Sequence, residues 1–117
     1  MNPLILRLET MLEAGSDNLL LRFGLGKAYA DVQQYDRAIA HLERAVLHDA
    51  THSGAWFWLG RAQYALGRFD EAETTLDRAM LVASRNKDRQ TVNMVKVFLR
   101  RAKNGALPVH GAAPGAT

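Results

Sequence analysis

The chain repeats itself at an interval of 34 residues, and this self-similarity restricts its fold more than any other feature of the sequence. When residues 19–50 are placed over residues 53–84, ten of 32 positions are identical. The identical pairs include Phe23/Phe57, Leu25/Leu59, Gly26/Gly60, Ala38/Ala72 and Leu42/Leu76. A single unit of this length cannot bury its apolar face alone, so such units stack on their neighbours around a continuous core.

Each unit predicts two helices. In the second unit, Trp56, Leu59 and Leu66 recur at helical spacing until Gly67 breaks the run, and a second apolar stripe follows from Phe69 to Met80. Small residues at fixed places, such as Gly60, would let the paired helices approach closely. No alternating segment of strand length is found, so the sequence predicts an all-α fold.

These residues give the chain a resemblance to the tetratricopeptide repeat (TPR) family, which implies antiparallel helix hairpins stacked into an α-solenoid. The matching motifs are Trp56-x2-Leu59-Gly60 and Phe69-x2-Ala72…Ala79 in the second unit, and Leu25-Gly26-x2-Tyr29 and Tyr35-x2-Ala38 in the first. The sequence departs from the family pattern at Arg22, where tryptophan is usual, at Gln63, where tyrosine is usual, and at Ala50 and Ser84, where proline is usual. The aromatic and small-residue scaffold remains, so the expected fold is unchanged.

Two repeats leave apolar faces uncovered, and the flanking segments predict the helices that cover them. We expect one helical domain over residues 1–103, with an N-terminal helix at 3–14, repeat 1 at 19–52, repeat 2 at 53–86 and a C-terminal capping helix at 88–103. This arrangement gives about six helices, with Asp17 capping the first helix of repeat 1. Residues 104–117 are rich in Ala, Gly and Pro and are predicted to be a disordered tail.

Composition excludes several classes of protein. The chain has no cysteine, which rules out disulfides, cysteine–zinc sites and thiol chemistry, and no apolar run approaches the length of a membrane span. The N-terminal residues lack the basic region of a secretory signal, so a cytoplasmic location is the expectation. Residues 1–84 hold eight basic and eleven acidic side chains, whereas residues 85–103 hold seven basic and one acidic. The sequence thus predicts an acidic body that ends in a basic helix.

No arrangement of residues predicts catalysis or a cofactor. The sequence contains neither a P-loop nor a G-x-S-x-G elbow, and Gly24-x-Gly26 is too short for a dinucleotide fingerprint. A metal site would need His41, His48 and Asp49 to converge, and surface histidines near a helix end are the favoured interpretation. We therefore expect a protein that is not an enzyme and holds no metal.

The TPR resemblance implies a concave groove whose ligand-facing side chains come from fixed positions of the first helix of each repeat. These positions, with a neighbouring tryptophan, are Phe23, Lys27, Asp31, Phe57, Trp58, Arg61 and Tyr64. Aromatic and cationic side chains in alternation predict a protein or peptide ligand with apolar and acidic side chains. The alternative for each aromatic residue is that it packs beneath the flanking helices as core. Because Phe23, Lys27 and Trp58 stand where the chaperone-tail binders of the family use a lysine and asparagine pattern, that type of clamp is not expected.

The predicted function is a non-catalytic protein–protein interaction module, an adaptor, scaffold or co-chaperone-like protein, and two alternatives stay open. A homo-oligomeric scaffold, such as a homodimer, would pair exposed end faces or the groove of two copies. A nucleic-acid-associated adaptor would use a basic face of the last helix, formed by Arg89, Lys96, Arg100 and Lys103. A solvated capping helix is the favoured interpretation of that face, since no aromatic residue alternates with the charges. Nucleic acid and membrane are therefore not the expected partners.

Overall fold

The computed structural model describes residues 2–105, which form six α-helices. The helices are α1 (Pro3–Glu13), α2 (Leu19–Asp31), α3 (Tyr35–His48), α4 (Ser53–Ala65), α5 (Phe69–Arg85) and α6 (Arg89–Gly105). The predicted all-α helical-repeat fold is confirmed, because α2–α3 and α4–α5 are the hairpins of repeats 1 and 2, with α1 before them and α6 after them. No helix between Asn2 and Gly105 combines the length and apolar character that a bilayer span needs.

Side chains at the helix starts satisfy the first free backbone N–H groups. The Asn2 side chain accepts from Leu4 N at 2.8 Å, and the ring of His52 accepts from Ala55 N at 3.0 Å. The cap of α2 corrects the sequence prediction, because Asn18, and not Asp17, accepts from Leu21 N at 2.9 Å. Asp17 lies one residue earlier and its carboxylate binds Arg22 instead.

The helices form two layers. The inner helices α2, α4 and α6 contact their neighbours within that layer, while the outer helices α1, α3 and α5 are separated by the inner ones. Closer spacing on the inner side makes that side the concave one. Within each hairpin the two helices meet at glycine: a Cβ built on Gly26 would lie 2.4 Å from Leu42 Cγ, and one on Gly60 would lie 2.7 Å from Leu76 Cγ. Leu42 and Leu76 are fully buried at these contacts and anchor the core of each repeat.

The capping helix is longer than the sequence predicted. Asn104 and Gly105 belong to α6 and not to a tail, because Gly105 packs on Phe69 at the start of α5, where an added Cβ would lie 2.8 Å from the ring. This contact fastens the last turn of α6 to repeat 2. The rest of the predicted tail, 106–117, lies outside the described residues.

Candidate functional site

Aromatic rings and cations alternate across the inner face of the three inner helices. Lys27 Nζ of α2 lies 5.3 Å from the centre of the Phe23 ring and 5.5 Å from that of Trp58 on α4. One helical turn further along α4, the guanidinium carbon of Arg61 lies 4.6 Å from the Trp58 ring. The same guanidinium lies 5.3 Å from the Phe98 ring of α6. Arg61 therefore links repeat 2 to the capping helix as Lys27 links repeat 1 to repeat 2.

Arg101 completes this arrangement on α6, with its guanidinium carbon 4.9 Å from the Phe98 ring. We call the set the cation–aromatic row: Phe23, Lys27, Trp58, Arg61, Phe98 and Arg101. Each ring carries a cation at a distance typical of cation–π pairing. The pairing holds long side chains in place before a ligand arrives, which reduces the entropy lost on binding. Because Arg61 and Arg101 remain exposed to solvent, their charges stay available to a carboxylate.

A pocket of about 190 Å³ opens beside the row between α2 and α4. Trp58 and Arg61 form one wall, and Asp31 and Tyr35 form another. The predicted groove residue Asp31 thus lies near the row with a charge of the opposite sign. A ligand in this pocket would meet a cation on one side and a carboxylate on the other.

One predicted groove residue is misplaced. Phe57 is 1% exposed and belongs to the core, because its ring packs edge-on against Phe98 of α6 at 5.5 Å. The prediction that Phe57 lines an open groove is wrong, because α6 covers its ring. The equivalent residue in repeat 1, Phe23, is half-exposed. Tyr64 is half-buried, 5.8 Å from both Phe69 and Phe98, and lies at the margin of the row.

The contribution of α6 to this face was not predicted from the sequence. The 34-residue register does not extend into α6, whose first residue, Arg89, lies 36 residues after Ser53 of α4. A local signal was available: Phe98-x2-Arg101 repeats the spacing of Trp58-x2-Arg61. At this spacing, a ring and a cation lie on adjacent turns of one helix face.

The basic residues singled out on the last helix lie away from the row. Lys96, Arg100 and Lys103 line a pocket of about 320 Å³ together with Leu99. Arg89 lies toward the start of the helix, beside a second pocket of about 340 Å³ that includes Lys87 and Val92. Arg101 is not part of this face, because it points to Phe98.

The histidines have structural contacts in repeat 1. His41 stacks on Tyr29 with ring centres 5.5 Å apart, and its Nδ1 accepts a hydrogen bond from Arg22 at 3.0 Å. His48 Nε2 lies 2.9 Å from the carboxylate of Asp17, which also receives two hydrogen bonds from Arg22. Within residues 2–105, no three His, Asp or Glu side chains are grouped as metal ligands would be. The hypothetical set of His41, His48 and Asp49 therefore does not converge.

Comparison with known proteins agrees with this architecture. The profile described as tetratricopeptide repeat matches residues 30–91. A TPR repeat-containing protein of Pseudomonas aeruginosa is 42% identical over 94 residues, covering 80% of this chain and 90% of the relative. The solution structure of a protein from Bordetella parapertussis is 41% identical, with a TM-score of 0.77 over 89% of this chain and 90% of that one. The second TPR domain of human RPAP3, solved in complex with the HSP70 peptide SGPTIEEVD, is 26% identical, with a TM-score of 0.73 over 85% and 78% of the two chains.

The fold and its inner face define an all-α helical-repeat protein with a cation–aromatic row on its concave side. The extent and identity of these matches show the family directly. The chain belongs to the tetratricopeptide repeat family.

Proposed function

We propose that this protein is a non-catalytic protein–protein interaction module whose concave face binds an extended peptide segment with acidic and apolar side chains. The observation that carries the proposal is the cation–aromatic row, which crosses all three inner helices. Cations supply charge-assisted hydrogen bonds to carboxylates, and the exposed parts of the Phe23 and Trp58 rings supply apolar contact. The row is therefore chemically suited to a peptide in which acidic and apolar residues alternate.

The related TPR domain of human RPAP3 supports the class of ligand. It is in complex with an HSP70 peptide that contains consecutive glutamates, a valine and an aspartate. We infer that this chain takes a segment of similar composition. Its own ring–cation pairs would hold the segment, since Phe23, Lys27 and Trp58 replace the lysine and asparagine pattern of the family's chaperone-tail clamp.

Selection from a displayed library of random peptides tests the proposal. We expect the wild-type chain to enrich sequences with acidic residues beside apolar ones. A chain with Lys27→Glu and Arg61→Glu should lose them, with affinity reduced at least about tenfold because two attractive charges become repulsive. The matched control, Arg7→Glu with Arg44→Glu, changes the net charge equally at two exposed positions away from the row and should bind like the wild type.

Circular dichroism establishes that each variant is folded. Enrichment of basic sequences, or equal binding by the row variant and its control, would contradict the proposal. Trp58→Ala provides a second test that leaves the net charge unchanged, and its binding should also weaken.

A homo-oligomeric scaffold is the second candidate, and one feature of α1 favours it. At the 34-residue offset, Leu4, Leu8 and Met11 of α1 are the equivalents of Ala38, Leu42 and Ala45, which are fully buried against α2. Within residues 2–105 no inner helix precedes α1, and Leu4 and Met11 are 49% and 44% exposed. Two copies of this apolar strip could bury each other about a twofold axis.

Light scattering after size exclusion tests the second candidate. If α1 pairs two copies, the wild-type mass is that of a dimer, and Leu4→Gln with Met11→Gln gives a monomer that keeps its helicity. A monomeric wild type at high concentration would rule out this candidate and leave the peptide proposal intact.

A further inference from the structure

Within residues 2–105, α6 is the last helix of the stack, and no outer helix follows it and packs against it as α3 packs against α2 and α5 against α4. Counting from the first residue of each inner helix, the eighth residue is Gly26 in α2, Gly60 in α4 and Lys96 in α6. In α2 and α4 this glycine is the point at which the outer helix packs. The face of α6 around Lys96 is thus the position where an outer helix would lie.

The neighbouring positions on this face are apolar. The fourth and eleventh residues of α6 are Val92 and Leu99. Of their equivalents in repeat 2, Gln63 is buried, and Trp56 is half-buried with the Arg78 guanidinium of α5 over its ring. Val92 and Leu99 are only half-buried, and each lines one of the two pockets on this face. An apolar pair seven residues apart matches the repeat of a packed helix.

Cations surround this apolar pair. Lys87, Arg89, Lys96, Arg100 and Lys103 line the two pockets. Helix α6 contains neither aspartate nor glutamate. The carboxylate of Asp88, which directly precedes α6 in the sequence, is occupied because it accepts from Ser53 Oγ at 2.6 Å and from Thr91 N at 3.2 Å. The charge of the face is therefore uncompensated by its own helix, and a partner would have to supply acidic residues.

We propose that this face of α6 docks an acidic amphipathic helix of a partner protein, at the position that an outer helix takes in repeats 1 and 2. Leucine-like side chains of that helix would lie against Val92 and Leu99, while flanking carboxylates would meet Lys96, Arg100 and Lys103. Lysine at the position of Gly26 and Gly60 keeps the docked helix further from α6 than α3 lies from α2. The contact would then be reversible and sensitive to salt. Aliphatic side chains between the cations favour a protein helix over single-stranded nucleic acid, whose bases bind by stacking on aromatic rings.

Fluorescence anisotropy with defined probes tests the proposal on the full chain. The main probe is a synthetic helical peptide about four turns long, with leucine on one face and glutamate on its flanks. The control peptide has the same composition with the leucines dispersed around the helix. We expect the amphipathic peptide to bind at least about tenfold more tightly than the dispersed one.

The variants locate the binding surface. Lys96→Glu with Lys103→Glu should weaken binding of the amphipathic peptide at least about tenfold. Arg7→Glu with Arg44→Glu, which has the same net charge, should bind like the wild type. The neutral pair Lys96→Gln and Lys103→Gln should fall between them, and both lysines are exposed, so folding is retained. Amide shifts on titration should change at Val92, Lys96 and Leu99 and remain unchanged at Lys27 and Arg61.

Other outcomes would overturn the proposal. Absence of binding, or equal binding of the two peptides, would show that this face of α6 is a solvated surface that docks no helix. A single-stranded oligonucleotide of equal charge is the competing probe. If it binds the wild type more tightly than the peptide does, and binds the variant with Lys96→Glu and Lys103→Glu more weakly, the face binds phosphates instead. The Lys27→Glu and Arg61→Glu variant keeps this face intact, so failure here is distinguishable from failure of the concave-face proposal.

Discussion

The two repeats share a backbone and an apolar core but differ at their equivalent polar positions. Tyr29 is the eleventh residue of the inner helix in repeat 1, and its hydroxyl donates to Glu9 of α1. The equivalent residue in repeat 2 is Gln63, which is 5% exposed. Its side-chain oxygen accepts no hydrogen bond from the described residues, 2–105. The same position is thus satisfied in one repeat and unsatisfied in the other.

The two repeats differ at this position because each one packs against a different flanking helix. Repeat 1 holds α1 through a charged network around Tyr29, in addition to the apolar packing of Ile5. In that network Arg22 joins Asp17 at 2.8 Å and His41 at 3.0 Å, and His41 lies 3.8 Å from Glu9. Repeat 2 holds α6 through aromatic packing of Phe57, Tyr64 and Phe98. The shared residues therefore build the hairpin, whereas the variable ones are set by the flanking helix.

The largest difference between the repeats should appear at their equivalent phenylalanines. Phe57→Ala should lower the free energy of unfolding by about 3–5 kcal/mol, because the ring is buried against Phe98 and leaves a cavity. Phe23→Ala should cost only about 1 kcal/mol, since Phe23 is half-exposed and contacts His52 edge-on. Urea unfolding of both variants measures this difference. Equal losses would show that the two rings have equivalent surroundings.

The polar network should give the next largest effect. Tyr29→Phe removes the hydrogen bond to Glu9 and should lower the free energy of unfolding by about 1.5–3 kcal/mol, because a bond to a charged group is lost. Hydrogen exchange at the amides of α1 should quicken in parallel, since Glu9 is the residue through which α1 meets the network. Unchanged exchange in α1 would contradict the role given to this bond. Tyr35→Phe, on a half-buried tyrosine outside the network, is the control.

In repeat 2, a substitution at the equivalent position should increase the stability instead of lowering it. Gln63→Met should raise the free energy of unfolding by about 1 kcal/mol, because the change removes an unsatisfied buried oxygen at similar volume. Thermal unfolding followed by circular dichroism should show a melting temperature higher by roughly 4–8 °C. A loss of stability would mean that the Gln63 oxygen has a donor in solution. Gln33→Met, on an exposed residue, gives the reference for the same change on the surface.

The fold was predictable from the sequence because it depends on short-range spacing. The glycine, alanine and aromatic positions recur at a fixed offset, and each has a packing reason that holds in both repeats. The start of α2 was less predictable, since Asp17 and Asn18 are both good capping residues and only the backbone decides which one caps. The length of α6 depended on Phe69, a residue distant in sequence that packs against Gly105.

The candidate site was predictable only in part, for a related reason. Lys27, Trp58 and Arg61 occupy the inner face as the repeat register indicated. The burial of Phe57 could not be read from that register, because it depends on where α6 lies. The contribution of Phe98 and Arg101 was missed for the same reason. A capping helix follows its own spacing, so contacts across it come from three-dimensional packing.

The smallest predicted effect is the dependence of stability on pH, and it too should belong to repeat 1. Burial lowers the pKa of His41 below its ordinary value. Arg22 of α2 and Arg37 of α3 also lower it, while Glu9 of α1 and Asp17 oppose the shift. As the pH falls through 6.5, His41 is protonated in the unfolded chain while it stays neutral in the folded chain. The free energy of unfolding should therefore decrease as the pH drops below 6.5. His41→Gln, which stays neutral, should remove this part of the pH dependence in urea unfolding.

Asp17 should contribute to the pH dependence of stability in a more acidic range than His41, so the two contributions can be measured separately. Hydrogen bonds from Arg22 and then His48 hold the pKa of Asp17 well below its ordinary value, so its contribution is retained until the pH falls below about 3.8. Asp17→Asn should therefore alter unfolding in that lower range and leave the loss near pH 6 in place. Repeat 2 has Thr51 and Thr75 at the positions of Asp17 and His41 and cannot titrate there. If His41→Gln kept the full dependence near pH 6, the charged network of repeat 1 would not be its origin, and the contrast between the repeats would be one of packing alone.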